Sequence, residues 1–86
     1  MSPENAEILA FQGLGWLAGD AVELEKFLHL SGLDAAGLRQ GAGTPEMSVA
    51  ILDYLLGHEE LLLRFCDGAA VRPKDLHLAR HVLGGA

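Results

Sequence analysis

A segment of the chain repeats itself at an offset of 38 residues. Trp16-Leu17-Ala18-Gly19-Asp20 aligns with Tyr54-Leu55-Leu56-Gly57-His58, and the alignment continues without gaps. Leu14, Leu17, Gly19, Leu24, Phe27 and Leu38 fall on Leu52, Leu55, Gly57, Leu62, Phe65 and Leu76. Lys26 falls on Arg64, and Leu33 on Val71. Six identities in so short a stretch exceed what a Leu-rich composition gives by chance, and the period is that of one helical supersecondary unit. The repeat constrains architecture. It brings no catalytic signature with it.

Punctuation divides the chain into about six short helices. Ser2-Pro3-Glu4 places a cap before a proline at the first helical position, and Thr44-Pro45-Glu46 does the same. The first helix is expected to run to about Ala18, with Ile8, Leu9, Phe11, Leu14, Trp16 and Leu17 as its apolar residues. Gly19 suits its C-terminal stop. Asp20-Ala21-Val22-Glu23 reads as a capping box, opening a second helix with Leu24, Phe27 and Leu28 on one stripe and a stop at Gly32. Asp34 caps a short third helix through Leu38 and Arg39, ended by Gly41-Ala42-Gly43. A fourth runs to Leu56 and stops at Gly57, and a fifth covers about His58 to Asp67. Pro73 opens a sixth that runs to Leu83, before Gly84-Gly85. No segment alternates with the period of a half-buried strand.

These readings predict an all-α bundle in one domain, residues 1–86, built from two sequence-related three-helix halves, about 1–43 and 44–86. The fourth helix is apolar on two faces. Met47, Ala50, Ile51, Tyr54 and Leu55 fill one, and Val49, Leu52 and Leu56 nearly the opposite one, so it is expected to be the hub.

An 86-residue chain buries a small share of its surface, but half of its residues are apolar and 17 are Leu. Cys66 stands alone, so no internal disulfide forms. Glu4 and Glu7 precede the first short apolar run where a secretory leader would carry bases. No uninterrupted apolar run is long enough to span a bilayer. The expectation is a cytoplasmic protein that does not enter a membrane. Charge is uneven: residues 1–63 hold Lys26 and Arg39 against ten acids, a net of −8, while residues 64–86 carry +2. An acidic body repels phosphate backbones, which makes a nucleic-acid partner improbable. The basic tail is expected to dock on the acidic body of its own or a sister chain.

The stretches Lys26-Phe27-Leu28-His29-Leu30-Ser31-Gly32-Leu33, Leu38-Arg39, Leu52-Asp53-Tyr54-Leu55-Leu56-Gly57-His58-Glu59 and Leu61-Leu62-Leu63-Arg64-Phe65-Cys66 together carry a resemblance. Across about residues 8–84 the chain resembles a family of short bacterial proteins known as a domain of unknown function. It departs from that family at His58, where an acidic cap is usual, and at Ala70, where glycine is usual. The resemblance implies no activity and assigns no functional residue.

Candidate chemistry is sparse. His77 and His81 share a face of the sixth helix and could pair on a metal, but no CxxC or HExxH pattern supports them. Two solvated histidines near a helix C-terminus are the simpler reading. Cys66, near a helix C-terminal end, reads as a buried structural thiol. Gly13, Gly15 and Gly19 lack the GxGxxG spacing and a preceding strand, and read instead as a place where a neighbouring helix comes close. Glu23, Glu25, Glu59 and Glu60 read as solvated charge, and Trp16 and Tyr54 as core packing.

The departure from the repeat is the sharpest functional clue. Leu61 and Leu63 stand where the first half has Glu23 and Glu25. Leu61 joins the core side, whereas Leu63 lies on the other side among Glu59, Glu60 and Asp67. Leu63 and those three acids are the candidate protein–protein surface, toward a second copy in a homodimer or another protein. Arg72, Lys74, His77, Arg80 and His81 are the candidate anion contacts of an alternative accessory role. A small metal-dependent enzyme using His77 and His81 is a further alternative. The leading expectation is a non-enzymatic interaction module without a cofactor.

Overall fold

A computed structural model describes residues 1–84, and they form six helices with no strand among them. The helices are α1 (Pro3–Ala18), α2 (Ala21–Ser31), α3 (Ala35–Gly41), α4 (Pro45–Leu56), α5 (Glu59–Ala69) and α6 (Pro73–Gly84). Gly84 is the last residue of α6, and Gly85 lies outside the described residues.

The caps explain most boundaries. Ser2 Oγ accepts from the Asn5 amide at 3.1 Å, Asp34 Oδ1 from Gly37 at 2.7 Å and Thr44 Oγ1 from Met47 at 3.2 Å. Each satisfies one of the amides that a helix start leaves without a partner. Asp20 Oδ1 accepts from Val22 and Glu23 at 3.0 and 3.3 Å. Only that half of the expected capping box forms. The Asp20 amide donates to the Leu17 carbonyl, and the Glu23 carboxylate is turned toward Lys26 and Arg64.

The ends of the second and fifth helices share one geometry. The amide of Leu33 donates to the Leu28 carbonyl at 2.9 Å, and that of Val71 to Cys66 at 3.1 Å. Both are the six-to-one bond of a Schellman motif, which needs a left-handed residue just past the helix. Gly32 supplies it at φ +70°, and Ala70 at φ +56°. The left-handed turn lets α5 run to Ala69, two residues beyond the expected end.

Shifted by 38 residues, the boundaries of α2 and α5 coincide, as do the ends of α1 and α4 and the starts of α3 and α6. Aromatic packing crosses between the halves. Trp16 meets Phe65 edge to face at 5.7 Å, and Tyr54 meets Phe27 in the same way at 5.2 Å. Trp16 and Tyr54 are equivalent under the offset, as are Phe27 and Phe65, so each half's aromatic pair is completed by the other half. The third helices differ. Short α3 buries no residue and rests chiefly on α4, while α6 buries Leu76 and Ala79 across both α1 and α4.

The core is therefore centred on α1, α4 and α6 rather than on α4 alone. Phe27, Phe65, Leu17, Leu52, Leu55 and Leu76 are its largest fully buried side chains. Gly13 makes the α1–α4 approach possible: a Cβ there would lie 3.0 Å from Leu55 Cδ1 and 3.4 Å from Ile51 Cγ2. Gly15 plays no such part, because a Cβ there would meet nothing within 4 Å. Ile8 and Phe11, read as apolar helix residues in the sequence, point to solvent, each about half exposed.

Candidate functional site

The residues singled out from sequence fall into three places. His77 and His81 are exposed on the outer face of α6, and among the described residues no three His, Cys, Asp or Glu side chains converge as a metal ion requires. Arg80 turns the other way and donates through Nε to Asp53 Oδ1 of α4 at 2.6 Å. Arg72, just ahead of α6, lies 3.9 Å from Asp75 in that helix's first turn. Of the candidate anion contacts, Lys74, His77 and His81 remain on the outer face without an ion-pair partner among the described residues.

Cys66 is buried. Burial pushes its thiol above the ordinary value of 9.0, and the negative charge of Asp75 adds to the effect. A thiol held protonated is a packing group, not a nucleophile.

Leu63 is 50% exposed on α5, with Glu59, Glu60 and Asp67 exposed around it. Glu59 and Glu60 also face a larger feature that sequence reasoning missed. α2 and α5 barely touch, and between them runs an open groove of about 1010 Å³. The separation follows from α2, which buries only Phe27 and leans mainly on α1. Leu28, Leu33, Leu61 and Tyr54 line the groove as its apolar surface. Val22 and Leu30 line it from α2 and are 60% and 64% exposed. Leu63 and Asp67 do not line it.

Charge frames the groove. Glu23, Glu25, Glu59 and Glu60 face it, against Lys26 and Arg64. Both cations are directed at Glu23: Lys26 Nζ lies 3.9 Å and Arg64 Nη2 3.6 Å from Glu23 Oε1. Arg64 also lies over the Trp16 ring, 5.8 Å from its centre, a cation–π contact that ties α5 back to α1. Exposed pairs of this kind contribute little to stability. Their effect here is to fix where the positive charge sits.

Tyr54 and His58 form an aromatic pair at the α4 end of the groove, ring centres 4.4 Å apart. His58 Nδ1 lies 2.6 Å from the Tyr54 carbonyl oxygen, which can only accept, so Nδ1 is the donor. The ring thus reaches back to the end of α4 and gives α5 no side-chain cap. Tyr54 is 8% exposed. Burial raises its pKa above 10.0, and the charge of Glu23 raises it further. No signal in a single sequence marks this groove, because it depends on the spacing of two helices that are adjacent to neither each other nor a common loop.

The described residues form a small all-helical fold with an open, acid-rimmed, apolar groove. Residues 3–86 match the model of a family described as "Protein of unknown function (DUF3572)", and the chain belongs to that family. No curated protein and no solved structure matches it. No helix of the described residues is long and apolar enough to cross a membrane.

Proposed function

We propose that this chain is a non-enzymatic protein–protein interaction module that receives a partner in the groove between α2 and α5. The observation that carries the reading is the exposure of Val22 and Leu30 on a concave surface. Leaving a Val or Leu side chain in water forgoes about 1.5–3 kcal/mol of burial each. A single exposed apolar residue needs no explanation. Two on one helix, beside four further apolar groove residues, make a patch that a partner can cover. Leu63, 50% exposed on α5 outside the groove, is a separate apolar position that a partner could also cover. The family resemblance and the single buried thiol suit a bacterial cytoplasmic setting.

The test is affinity capture from native lysate with the wild type, Leu30→Glu and Leu63→Glu, read by mass spectrometry. Both positions are exposed, so each variant keeps the wild-type circular dichroism spectrum. A partner of the groove is lost from Leu30→Glu. If neither variant loses any protein that the wild type captures, and light scattering finds all three equally monomeric, the reading fails.

The accessory role on anions has less support. Arg80 is committed to Asp53 and Arg72 to Asp75, which leaves Lys74 with two histidines. Steep salt dependence of binding to an anionic polymer, lost on Lys74→Glu, would favour it.

A further inference from the structure

We infer that the groove's occupant is a cationic amphipathic helix of a partner protein. The inference rests on the docking reading above and adds the partner's chemistry.

The backbone of the occupant is decided by hydrogen bonding. The groove walls are helices, whose amides and carbonyls are already bonded along their length. The described residues hold no sheet edge to pair with. An extended segment laid there would bury amides and carbonyls without partners, each a serious cost. A helix arrives with those groups satisfied.

The spacing of the apolar anchors fits the same answer. Val22 and Leu30 are eight residues apart on α2, so they stand about 12 Å apart along its axis at 1.5 Å per residue. Apolar side chains at i, i+3 or i+4, and i+7 of a facing helix cover about that length. Leu28, Leu33 and Leu61 offer such a stripe further apolar surface.

Charge selects a cationic helix. Lys26 and Arg64 are both turned to Glu23. No cation among the described residues lies within ion-pair distance of Glu25, Glu59 or Glu60. Three carboxylates at the groove are therefore uncompensated, where Lys or Arg residues flanking an apolar stripe would sit. A second copy of this chain is a poorer fit. Its outward cationic face is that of α6, and Lys74, His77 and His81 surround one exposed leucine, Leu78, rather than a stripe.

The test uses three fluorescein-labelled 15-residue helical peptides: a Leu/Lys amphipath, its Leu/Glu counterpart and a Leu/Ser neutral version. A scrambled Leu/Lys peptide serves as the fourth probe. Anisotropy titrations are expected to show the Leu/Lys amphipath binding at least about tenfold tighter than each other probe. Amide shifts on binding should concentrate at Val22, Leu30, Tyr54 and His58. The double variant Glu59→Lys/Glu60→Lys should weaken binding about tenfold or more, with the circular dichroism spectrum unchanged. Equal binding of the Leu/Glu or scrambled peptide overturns the inference, as do shifts confined to Ile8 and Phe11, or a dimer that occupies the groove. If the Leu/Ser helix wins, the partner is not cationic but the docking groove stands. If no peptide binds and Leu30→Glu changes no capture, the docking reading falls as well.

Discussion

Ala70→Gly should make this protein more stable. Ala70 sits at φ +56° and ψ +39°, the left-handed turn that closes the Schellman motif of α5. It is the one non-glycine residue with positive φ among those described. An L-residue in that region costs roughly 1–2 kcal/mol through its Cβ. Glycine removes that cost but gives the unfolded chain more freedom, worth about 0.5–1 kcal/mol. Ala70 is exposed, so its methyl group takes no packing away when it goes. The net gain is about 0.5–1 kcal/mol, or roughly 3–6 °C in Tm for a domain of this size. Gly32 gives the reciprocal experiment. It holds the equivalent place at φ +70°, with nothing within 4 Å of an added Cβ, so Gly32→Ala should lose about as much as Ala70→Gly gains. Thermal and urea unfolding followed by far-UV circular dichroism measure both. An Ala70→Gly protein that melts at or below the wild-type temperature would refute the reasoning, because relief of strain at φ would then not outweigh the added freedom of the unfolded chain.

The glycines of α1 should part company: Gly15→Ala stabilises by about 1 kcal/mol through helix propensity, while Gly13→Ala gains nothing and loses up to about 2 kcal/mol as Leu55 is displaced, both read by urea midpoints. Cys66 should resist a thiol reagent at neutral pH until the chain is unfolded; fast labelling of the native protein would contradict its burial. Cys66 and Tyr54 both have raised folded pKa values, so the folded state holds their protons more tightly than the unfolded one. Their contribution to stability is full below the unfolded values and is lost as pH rises past 9.0 and 10.0 toward the folded ones. Urea midpoints should fall across that alkaline window, and Cys66→Ala should remove part of the pH slope. Asp53→Asn should cost less than about 1 kcal/mol, since Arg80 and Asp53 pair at the surface; a larger loss in urea would show that α6 depends on that pair.

Helix limits were legible because their causes are local. Ser2, Asp20, Asp34 and Thr44 act within three residues of themselves, and Gly32 and Gly57 stop helices at their own positions. Leu61 and Leu63 were separable for the same reason, since a helical wheel alone puts one inside and the other out. The direction of α1 was not legible. Its large apolar side chains spread round the helix, Ile8 and Phe11 on the same side as Glu4, Glu7 and Gln12, and its seat against α4 and α6 leaves those two outward. The groove was hidden for a related reason. Val22 and Leu30 look like ordinary helix leucines and valines until α2 is seen to stand off from α5.

The crossed aromatic pairs carry a consequence for synthesis. Trp16 must wait for Phe65, 49 residues later in the chain, before it finds its ring partner. A ribosome therefore releases α1 and α2 well ahead of the surfaces that shelter them. During that interval a tryptophan and several leucines are open to chaperones and proteases, and a stalled or truncated product has no way to close over them by itself.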